Sequence, residues 1–529
     1  MKHLFTAFLS LFGLFSMAQN SAPFDVVLEP ITISALPGIQ SYTAAEYDGK
    51  WLIIGGRLDG LHQRQPWQSF DDAGHNRDVY VIDPVNAAYY HAPLSGLSND
   101  TLEAQLAATN ANFAMRDSLL LVVGGYGLSA GSVHITHPML TVINVPAMMN
   151  QIITQGQISA STTQSITDED FAVTGGKLLQ LDTTFLLIGG QRFDGQYNPM
   201  GHNTYVQEYT NAIRRFSVSG AFPNLSVQHY TAIVDTAELH RRDYNVTYMT
   251  DGSNLDINAW SGVFQYGADL PFLHPVEIST STATPVTSFS QYLNHYHCPS
   301  LSLWEDSAAA MHTVFFGGIA EYYYDANGTL VHDNDVPFVN TIAAVTKQNG
   351  AYNERLLDEA MPNYLGAGAE FFVNEDLDFT GANIIDMDAL TADTTHVGYI
   401  YGGINSPARN VFFGGMTNSS TASSTIYKVS LYRKSTVGIE QEQNSTEKGL
   451  GAQIIPNSRG SNLEIRLNAA QSTVTQVSVY NMEGKLLLEH EMKAGAQRMF
   501  ATGITAPVGT YLLQLKSGDK KSEMKFIWH

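Results

Sequence analysis

A short motif recurs six times in the first 403 residues of this 529-residue chain and constrains the fold more than any other feature. Each copy has a turn, often with Asp, then an apolar segment, and five of the six copies end in a Gly pair. The copies are YDGKWLIIGG to Gly56, RDSLLLVVGG to Gly125, LDTTFLLIGG to Gly190, DINAWSGVFQYG to Gly267, EDSAAAMHTVFFGG to Gly318 and TADTTHVGYIYGG to Gly403. With Phe264 standing in for the degenerate fourth copy, the intervals between the first Gly residues are 69, 65, 75, 53 and 85 residues. A constant motif at irregular spacing indicates one supersecondary unit decorated by loops of variable length.

A second alternating segment follows most of the Gly pairs after a loop. These segments are Arg77–Asp83, Pro138–Val145, Asn211–Val218, Phe338–Val345 and Ser424–Leu431. Alternation with period two and many β-branched and aromatic residues predicts strands, and helical periodicity is nearly absent. The sequence therefore predicts an all-β fold, and several four-stranded sheets in series favour a β-propeller.

This pattern resembles the kelch family, whose units carry an apolar strand ending in Gly-Gly and then an aromatic-bearing strand. The resemblance covers about Phe24 to Arg433. It departs from the family in two ways, because the intervals exceed the usual period of about 50 residues and the Tyr and Trp positions that normally follow are mostly absent. The resemblance implies a kelch-like β-propeller, with six blades favoured.

The sixth unit lacks an outer strand after Leu431, whereas an unassigned strand, Phe24–Ser34, begins the body. We predict that this N-terminal strand completes the sixth blade and closes the ring. Seven blades are the alternative if the segment between Gly366 and Asp393 contains another unit.

The N-terminus has the order of a secretory signal peptide. Lys2 and His3 precede an apolar run, Leu4–Phe15, and small residues end at Ala18. Residues 1–18 are predicted to be cleaved, since about a dozen apolar residues are too few for a membrane span of roughly 20. With one cysteine, Cys298, the exported chain has no internal disulfide and depends on burial for stability.

The charge is distributed unevenly along the chain. The formal net charge is −22, and residues 19–436 hold 17 Lys+Arg and 41 Asp+Glu, whereas residues 437–529 hold 10 and 9. Such an acidic body argues against nucleic acid and anionic lipid as partners and is compatible with neutral or cationic ligands. The change in composition predicts a β-propeller over residues 19–433, a polar linker over 434–451 and a separate domain over 452–529.

The last 78 residues contain strand patterns at Leu463–Leu467, Val474–Asn481, Lys485–Met492, Thr510–Lys516 and Glu523–Trp528, which predict a small β-sandwich. The segment resembles the C-terminal type A sorting domain of the type IX secretion system of Bacteroidetes. The residues that carry this resemblance include Pro456, Asn457, Gly484, Lys485, Gly509, Tyr511, Lys520 and Lys521. It implies that the tail is read by an outer-membrane translocon, that it is usually cleaved, and that the protein is secreted or attached to the cell surface. An ordinary immunoglobulin-like accessory domain is the alternative.

Two polar stretches precede the fourth and fifth motifs and are expected to lie near one mouth of the propeller channel. The candidate ligand-binding residues there are Arg241, Arg242, Asp243, His295, Tyr296 and His297. Strand alternation would place Arg241 and Asp243 on one face and the two histidines together. An Arg-Asp pair beside two histidines suits a carboxylate or sugar hydroxyls. The alternative is that these residues join adjacent blades through buried hydrogen bonds.

No cofactor is assigned from the sequence, although two metal interpretations stay open. His295 and His297 could chelate copper or zinc. Cys298 next to Tyr296 is similar to the arrangement in galactose oxidase, but the wider ligand set of that enzyme cannot be placed, so a small buried hydrophobe is the favoured role of Cys298. Asp325, Asn327, Asp333 and Asp335 offer oxygens for calcium, although a hairpin turning at Asn327-Gly328 fits this stretch better.

The sequence favours a binding or adhesion protein for glycan or another extracellular ligand, rather than an enzyme. Trp67 and Trp260 are candidates for stacking on sugar rings, with core packing as the alternative for each. The second hypothesis is an extracellular carbohydrate-active enzyme that uses Arg241, Asp243, His295 and His297 at the channel mouth. A third is a purely structural surface protein, which would have no ligand-sized pocket.

Overall fold

The computed structural model describes residues 22–65, 68–198, 204–325 and 327–434, and in the C-terminal part 452–457, 462–467, 471–481, 485–496, 498–502, 509–518 and 520–528. The chain divides into two compact units, Met1–Lys434, called the body, and Ser435–His529, called the tail unit. Both are built of β-strands, so the all-β prediction is confirmed. No helix in the described part of the chain has the length and apolar character needed to cross a membrane.

Six sheets, named sheets 1 to 6, form the body in chain order. The chain begins with β1 (Phe24–Ile31), and sheet 1 contains β2 (Thr43–Tyr47), β3 (Lys50–Ile54), β4 (Asp78–Asp83) and β5 (Ala88–Pro93). Sheet 2 follows α1 (Asp100–Leu106) and contains β6 (Asn112–Arg116), β7 (Leu119–Val123), β10 (Met139–Asn144) and β11 (Thr163–Thr167). The connection from β7 to β10 carries a hairpin of β8 (Tyr126–Leu128) and β9 (His134–Thr136), and α2 (Val145–Gln155) lies between β10 and β11. Sheet 3 contains β12 (Lys177–Leu181), β13 (Thr184–Ile188), β16 (Ala212–Ala221) and β17 (Asn224–Val234), with a hairpin of β14 (Gln191–Gly195) and β15 (Tyr205–Tyr209).

The other three sheets repeat this pattern. Sheet 4 contains β18 (Asn245–Thr250), β19 (Leu255–Trp260), β20 (Val276–Ile278) and β21 (Ala283–Pro285). Sheet 5 contains β22 (Ser300–Glu305), β23 (Ala310–Phe316), β26 (Thr341–Gln348) and β27 (Ala351–Ala360), with a hairpin of β24 (Tyr322–Tyr324) and β25 (Leu330–His332). Sheet 6 contains β29 (Ala369–Val373), β32 (Thr394–Gly402), β35 (Ile426–Arg433) and β1, beside a small sheet of β28 (Tyr364–Leu365), β33 (Ile404–Ser406) and β34 (Thr421–Ala422). Short 3-10 turns span Asp72–Gly74, Leu94–Leu97, Ala160–Thr162, Glu169–Phe171, Asp306–Ala308 and Thr417–Ser419.

Sheet 6 joins both ends of the body. β1 pairs antiparallel with β35, from Phe24 opposite Arg433 to Ile31 opposite Ile426, as the sequence predicted. The segment between Gly366 and Asp393 forms no further sheet of its own. It supplies β29 and a hairpin of β30 (Phe379–Gly381) and β31 (Ile384–Asp386), and β31 runs parallel to β22 at the inner edge of sheet 5.

Each pair of neighbouring sheets encloses its own apolar cluster. Leu52 and Val122 belong to the cluster between sheets 1 and 2, which α1 and α2 also cover. Further clusters lie between sheets 2 and 3, 3 and 4, 4 and 5, and 5 and 6. The last cluster packs Trp51 of sheet 1 against Phe372 of sheet 6, with ring centroids 4.1 Å apart. Since sheet 6 packs on sheet 1, the sheets form the closed ring of a β-propeller.

Backbone hydrogen bonds close the same ring at its axis. One residue just before or at the start of each innermost strand donates its N–H to the equivalent carbonyl of the preceding sheet. The six bonds run from Ser41 to Gly368, Asn110 to Ser41, Gly175 to Asn110, Asp243 to Gly175, His297 to Asp243 and Gly368 to His297, with lengths of 2.7–3.1 Å. All of these residues except His297 have positive φ. Gly, Asn and Asp tolerate that conformation best, which explains most of the residue types in the ring.

The Gly pairs connect neighbouring sheets at the ends of the second strands. The second residue of each pair donates its N–H to the next sheet, in the bonds Gly56 to Ala108, Gly125 to Val173, Gly190 to Arg241, Gly262 to His295, Gly318 to Leu365 and Gly403 to Ile39. In sheet 4 the pair is Ser261-Gly262, so the alignment on Phe264 was wrong. Ser261 takes the left-handed φ of +46° that the first Gly adopts elsewhere, which hid the pair from the sequence pattern.

The tail unit has two antiparallel sheets. One contains β36 (Ala452–Asn457), β37 (Asn462–Leu467) and β40 (Arg498–Thr502), and the other contains β38 (Thr475–Asn481), β39 (Leu486–Met492), β41 (Gly509–Ser517) and β42 (Lys520–Trp528). Buried side chains from both sheets, among them Ile465 and Leu513, form one cluster. β36 and β40 are strands that the sequence patterns did not indicate.

The Gly pairs make a stability prediction with a matched control. A Cβ at Gly124, where φ is +67°, would lie 1.9 Å from the Val173 carbonyl oxygen, whereas one at Gly49, with φ of +66°, meets nothing within 4 Å. We expect Gly49→Ala to cost about 1 kcal/mol through backbone strain alone. Gly124→Ala should cost about 3 kcal/mol or more, because the clash adds to the same strain. Urea unfolding of both variants measures the difference, and equal losses would contradict a packing role for the pair.

Candidate functional site

The two candidate stretches are turns rather than strands. β18 begins only at Asn245 and β22 only at Ser300, while Asp243 and Asn294 have φ of +53° and +55°. Left-handed residues rotate the following side chains, so strand alternation does not apply. The expected pairing of Arg241 with Asp243 on one face, and of His295 with His297, was therefore wrong.

Arg241 and His295 have structural hydrogen-bond partners. The Arg241 side chain, 1% exposed, donates to Glu238, to the Ser261 and His274 carbonyls, and lies 4.1 Å over the Phe272 ring. His295 Nε2 lies 2.8 Å from the Gln291 carbonyl oxygen and its Nδ1 accepts from the Glu321 N–H, which fixes the Nε2–H tautomer. With these groups paired, neither side chain faces a ligand site.

A small cavity lies on the axis of the ring. Every sheet contributes lining residues, and those with an acidic, basic or imidazole side chain are Lys177, Asp243, His297 and Glu370. Its space open to a water-sized molecule is about 20 Å³, which suits about one ordered water. The cavity is therefore far smaller than a pocket for a sugar ring, which needs roughly 300 Å³ or more.

Three of these side chains form a compact acid–base cluster. Lys177 Nζ lies 2.8 Å from His297 Nε2 and 3.7 Å from Glu370 Oε1, and His297 Nε2 lies 2.9 Å from the same oxygen. Burial alone would raise the pKa of Glu370, but Lys177 and then His297 outweigh it, so its pKa lies below the usual value. One imidazole nitrogen cannot accept from Lys177 and donate to Glu370 at once. The protonation of His297 therefore decides which contact is a hydrogen bond.

The sequence interpretation missed Lys177 and Glu370. Lys177 follows Gly175-Gly176, and Glu370 follows Gly368-Ala369, so each lies two residues after a member of the axial backbone ring. Counting from those ring positions, rather than searching for polar clusters, would have found both residues.

A double-mutant cycle tests the axial ion pair. Lys177→Met leaves the half-buried Glu370 carboxylate without its cation, and we expect a loss of about 2–4 kcal/mol in unfolding free energy. Lys177→Met combined with Glu370→Gln should recover at least half of that loss, because the uncompensated charge is gone. Denaturant unfolding at pH 7 gives both values, and additive losses would show that the two side chains are not coupled.

Arg242 and Tyr296 lie beside the axial cavity and stay half-buried. The Arg242 guanidinium carbon lies 4.5 Å from the Phe264 ring centre and 6.0 Å from that of Tyr209. Asp243 Oδ2 lies 3.8 Å from Arg242 Nε. Of the six candidate residues, Asp243 and His297 line the axial cavity, Arg242 and Tyr296 adjoin Asp243, and Arg241 and His295 belong to separate buried networks.

A larger cleft lies at one end of the sheets, here called the loop face. It is the end that carries the connections from second to third strands. The cleft has a volume of about 440 Å³ and is lined by Leu58, Asp59, Gln63, Gln68, Asp71, Ala73 and Gly74 of sheet 1 and by Asn418 of sheet 6. Its size matches a ligand of one or a few sugar rings.

Buried Arg57 organises the carboxylates of this cleft. Arg57 Nε and Nη2 donate to both oxygens of Asp59, at 2.8 and 2.5 Å, and Nη1 donates to the Asp71 carbonyl at 3.1 Å. The Arg57 side chain is 1% exposed, whereas Asp59 and Asp71 are 40% and 49% exposed. The carboxylates are thus held in place while they still face water.

Four histidines at this end of the sheets are neutral at physiological pH. Burial, with smaller contributions from nearby positive charges such as Arg57, lowers the pKa of His62 and His75 to about 4. Burial also lowers the pKa of His137 and His295 to about 4. These groups therefore add no positive charge to the loop face near neutral pH.

These buried imidazoles predict acid sensitivity. In the unfolded chain His295 takes up a proton near pH 6.5, whereas in the folded protein it does so only near pH 4. The free energy of unfolding therefore falls as the pH drops from 6.5 to 4. His295→Gln keeps an amide for the partners of the imidazole but should still lower the free energy of unfolding at pH 7. Because Gln does not titrate, the decrease in that free energy between pH 7 and pH 4.5 should be about 2–3 kcal/mol smaller than in the wild type. Chemical unfolding across the pH range measures this, with the exposed His91→Gln as a control that keeps the wild-type slope. Parallel profiles for wild type and His295→Gln would contradict the prediction.

The proposed metal ligands have other roles in the structure. Asp325 Oδ1 accepts from the N–H groups of Asn327 and Thr329 in the hairpin turn, and Asp333 accepts from Asp335 N–H and from Asn410. Burial raises the pKa of the Cys298 thiol to about 12. This burial agrees with its interpretation as a small buried hydrophobe.

Asp168, Asp170 and His229 form the one described group whose donor atoms lie within 4.8 Å of one another. Asp168 lies 3.0 Å from His229 Nε2, and Asp170 lies 3.9 Å from Nδ1. The two carboxylates approach different ring nitrogens, so a single ion could reach all three residues only if the imidazole turned.

The stacking candidates are not supported by the described structure. Trp260 is 1% exposed and packs between sheets 4 and 5, and Trp67 lies outside the described residues. Tyr266 and Phe413, on loops of sheets 4 and 6, are instead 61% and 53% exposed. Both stand in stretches rich in aromatic residues and glycine, which offered no periodic pattern to distinguish them.

The residues that carry the resemblance to a sorting domain lie in the tail unit. Pro456 and Asn457 belong to β36, Gly509 and Tyr511 to β41, and Lys520 and Lys521 to β42. Tyr511 is buried, and Lys485, Lys520 and Lys521 are exposed. Gly484, the predicted signal peptide and most of the predicted linker lie outside the described residues.

Comparison with solved structures gave distant similarities. A fungal alcohol oxidase of the AA5 family, in complex with copper, shares 9% identity, with 94% of this chain and 99% of the other covered, at a TM-score of 0.37. YjhT shares 11% identity over 76% of this chain and 99% of the other, at a TM-score of 0.40. A GH43_1 enzyme from Xanthomonas citri complexed with xylose shares 9%, over 76% and 90%, at a TM-score of 0.28. The search of curated proteins found no significant match.

The family comparison bears on the tail unit. Residues 453–529 match the secretion system C-terminal sorting domain. The C-terminal segment is thus a sorting domain of the type IX secretion system, and the chain is an exported protein that is secreted or attached at the cell surface.

Proposed function

We propose that the body is a six-bladed kelch-like β-propeller that binds extracellular glycan through its loop face. The observation that carries the proposal is the contrast between the two cavities, about 440 Å³ in the loop cleft and about 20 Å³ on the axis. The cleft offers carboxylates, amides and backbone groups that match sugar hydroxyls. The acidic body also favours a neutral or cationic ligand over an anionic one.

The proposal extends to the organisation of the chain. Residues 1–18 are the signal peptide, 19–433 the propeller, 434–451 the linker and 452–529 the sorting domain, a small β-sandwich. Its pattern residues, among them the exposed Lys485, Lys520 and Lys521, would meet the translocon. No cofactor is required for this function.

An enzyme at the channel is the second candidate. It is favoured by the contacts of 2.8 and 2.9 Å that bring Lys177 and Glu370 to one nitrogen of His297, an arrangement that can accept and release a proton. Substrate would have to open the axial cavity first, because it holds about one water. Hydrolysis of a polysaccharide that is lost in His297→Gln, with binding retained, would establish this alternative over the binding function.

Substitutions on the cleft rim test the binding function. We expect Gln68→Ala combined with Asn418→Ala to weaken glycan binding about tenfold or more, because both exposed amides line the cleft. Binding is measured on a glycan array and then by calorimetry with the strongest glycan. Asn224→Ala with Gln228→Ala, exposed amides on β17, is the matched control and should bind as wild type. Equal affinity of the cleft variant and the control would refute a role for the cleft.

A further inference from the structure

Three rings stack at the loop face between sheets 3 and 4, apart from the cleft. The centroid of His240 lies 3.8 Å from that of Tyr209 and 3.7 Å from that of Tyr266, with interplanar angles of 27° and 24°. The middle ring is buried, while Tyr266 at the end of the stack is 61% exposed. The stack therefore presents the flat side chain of its last ring to solvent.

Hydrogen bonds order the turn that carries this end ring and the imidazole on which it stacks. Gln265 N–H donates to the Leu270 carbonyl at 3.0 Å, and the Gln265 side chain donates to the Pro271 carbonyl, which closes the turn that carries Tyr266. His240 Nδ1 lies 2.8 Å from Asn211 Oδ1, which fixes the imidazole ring. A ring that is already ordered loses little conformational entropy when a ligand covers it.

Polar groups border the stack. The Arg242 guanidinium carbon lies 6.0 Å from the Tyr209 ring centre. Asp269 is exposed and lies in the same short turn as Tyr266, the turn that the bond from Gln265 N–H to the Leu270 carbonyl closes. An exposed aromatic ring with a carboxylate on the same turn combines the two contacts that a sugar needs, one for its C–H face and one for its hydroxyls.

We infer that Tyr266 is a stacking platform for a pyranose ring of an extended polysaccharide, with the Asp269 carboxylate on the same turn hydrogen-bonding its hydroxyls. The inference rests on the proposed glycan-binding function and adds a second contact, on sheet 4. A sugar is favoured over an apolar partner because the exposed ring is single and shares its turn with the Asp269 carboxylate. A large apolar interface would instead require a contiguous patch.

The test uses the full chain with laminarin, xylan and mannan as soluble probes in affinity gel electrophoresis. Tyr266→Ala should weaken retardation by at least one probe about tenfold, and Tyr266→Phe, which keeps the ring, should stay within about twofold of wild type. Tyr230→Ala, at a tyrosine 41% exposed on β17, is the matched control and should bind as wild type. Thermal unfolding checks that all three variants remain folded, as expected because both tyrosine side chains are exposed.

Each other outcome separates this inference from the proposed function. If Tyr266→Ala keeps binding and the Gln68→Ala/Asn418→Ala variant loses it, the stacking role of Tyr266 is contradicted and the binding role of the cleft is supported. The reverse result would support the stacking role of Tyr266 and contradict the binding role of the cleft. Failure of every probe to retard the wild type would overturn both. A dimer that dissociates in Tyr266→Ala would also overturn the platform, since the ring would then serve a second copy of the chain.

Discussion

Six backbone hydrogen bonds closed into a ring around the axis hold the inner ends of the six sheets together. Each ring residue both donates to one neighbour and accepts from the other, so every bond polarises the next. The geometry requires left-handed residues at Ser41, Asn110, Gly175, Asp243 and Gly368, and these positions in turn direct the polar side chains that follow. The outer Gly pairs repeat the connection further from the axis.

This ring also limits where a ligand could bind. Backbone groups that meet so near the axis leave room there for about one water, between Lys177, His297 and Glu370. The connections at the loop face are free of that constraint and vary in length, from the loop that carries Arg57 and Asp59 to the one that carries Tyr266. The proposed binding sites are thus separate from the part of the molecule that maintains the fold.

Much of the architecture could be predicted because it depends on local patterns. The apolar strands before the Gly pairs, and the pairing of β1 with β35, follow from alternation and from a missing outer strand. Alternation failed where single left-handed residues, Asp243 and Asn294, turn the chain, and so the grouping of Arg241 with Asp243 was wrong. Trp260 was ambiguous because a large aromatic side chain in a strand suits either a core or a sugar. The cluster of Lys177 with Glu370 depends on the meeting of sheets 3 and 6 across the axis, which no local pattern encodes.

The pairing of β1 with β35 has a mechanical consequence for a protein displayed outside the cell. A pull applied at Lys434 reaches β35, which has β1 on one side and β32 on the other. Both rows of hydrogen bonds must yield before the strand leaves, whereas an edge strand could peel away one bond at a time. Lys434 adds to this resistance, because its Nζ lies 3.1 Å from buried Asp25 and 2.9 Å from Asp358, and its N–H donates to Pro23. By pairing with β35, β1 thus helps sheet 6 to resist a force applied through the segment that follows Lys434.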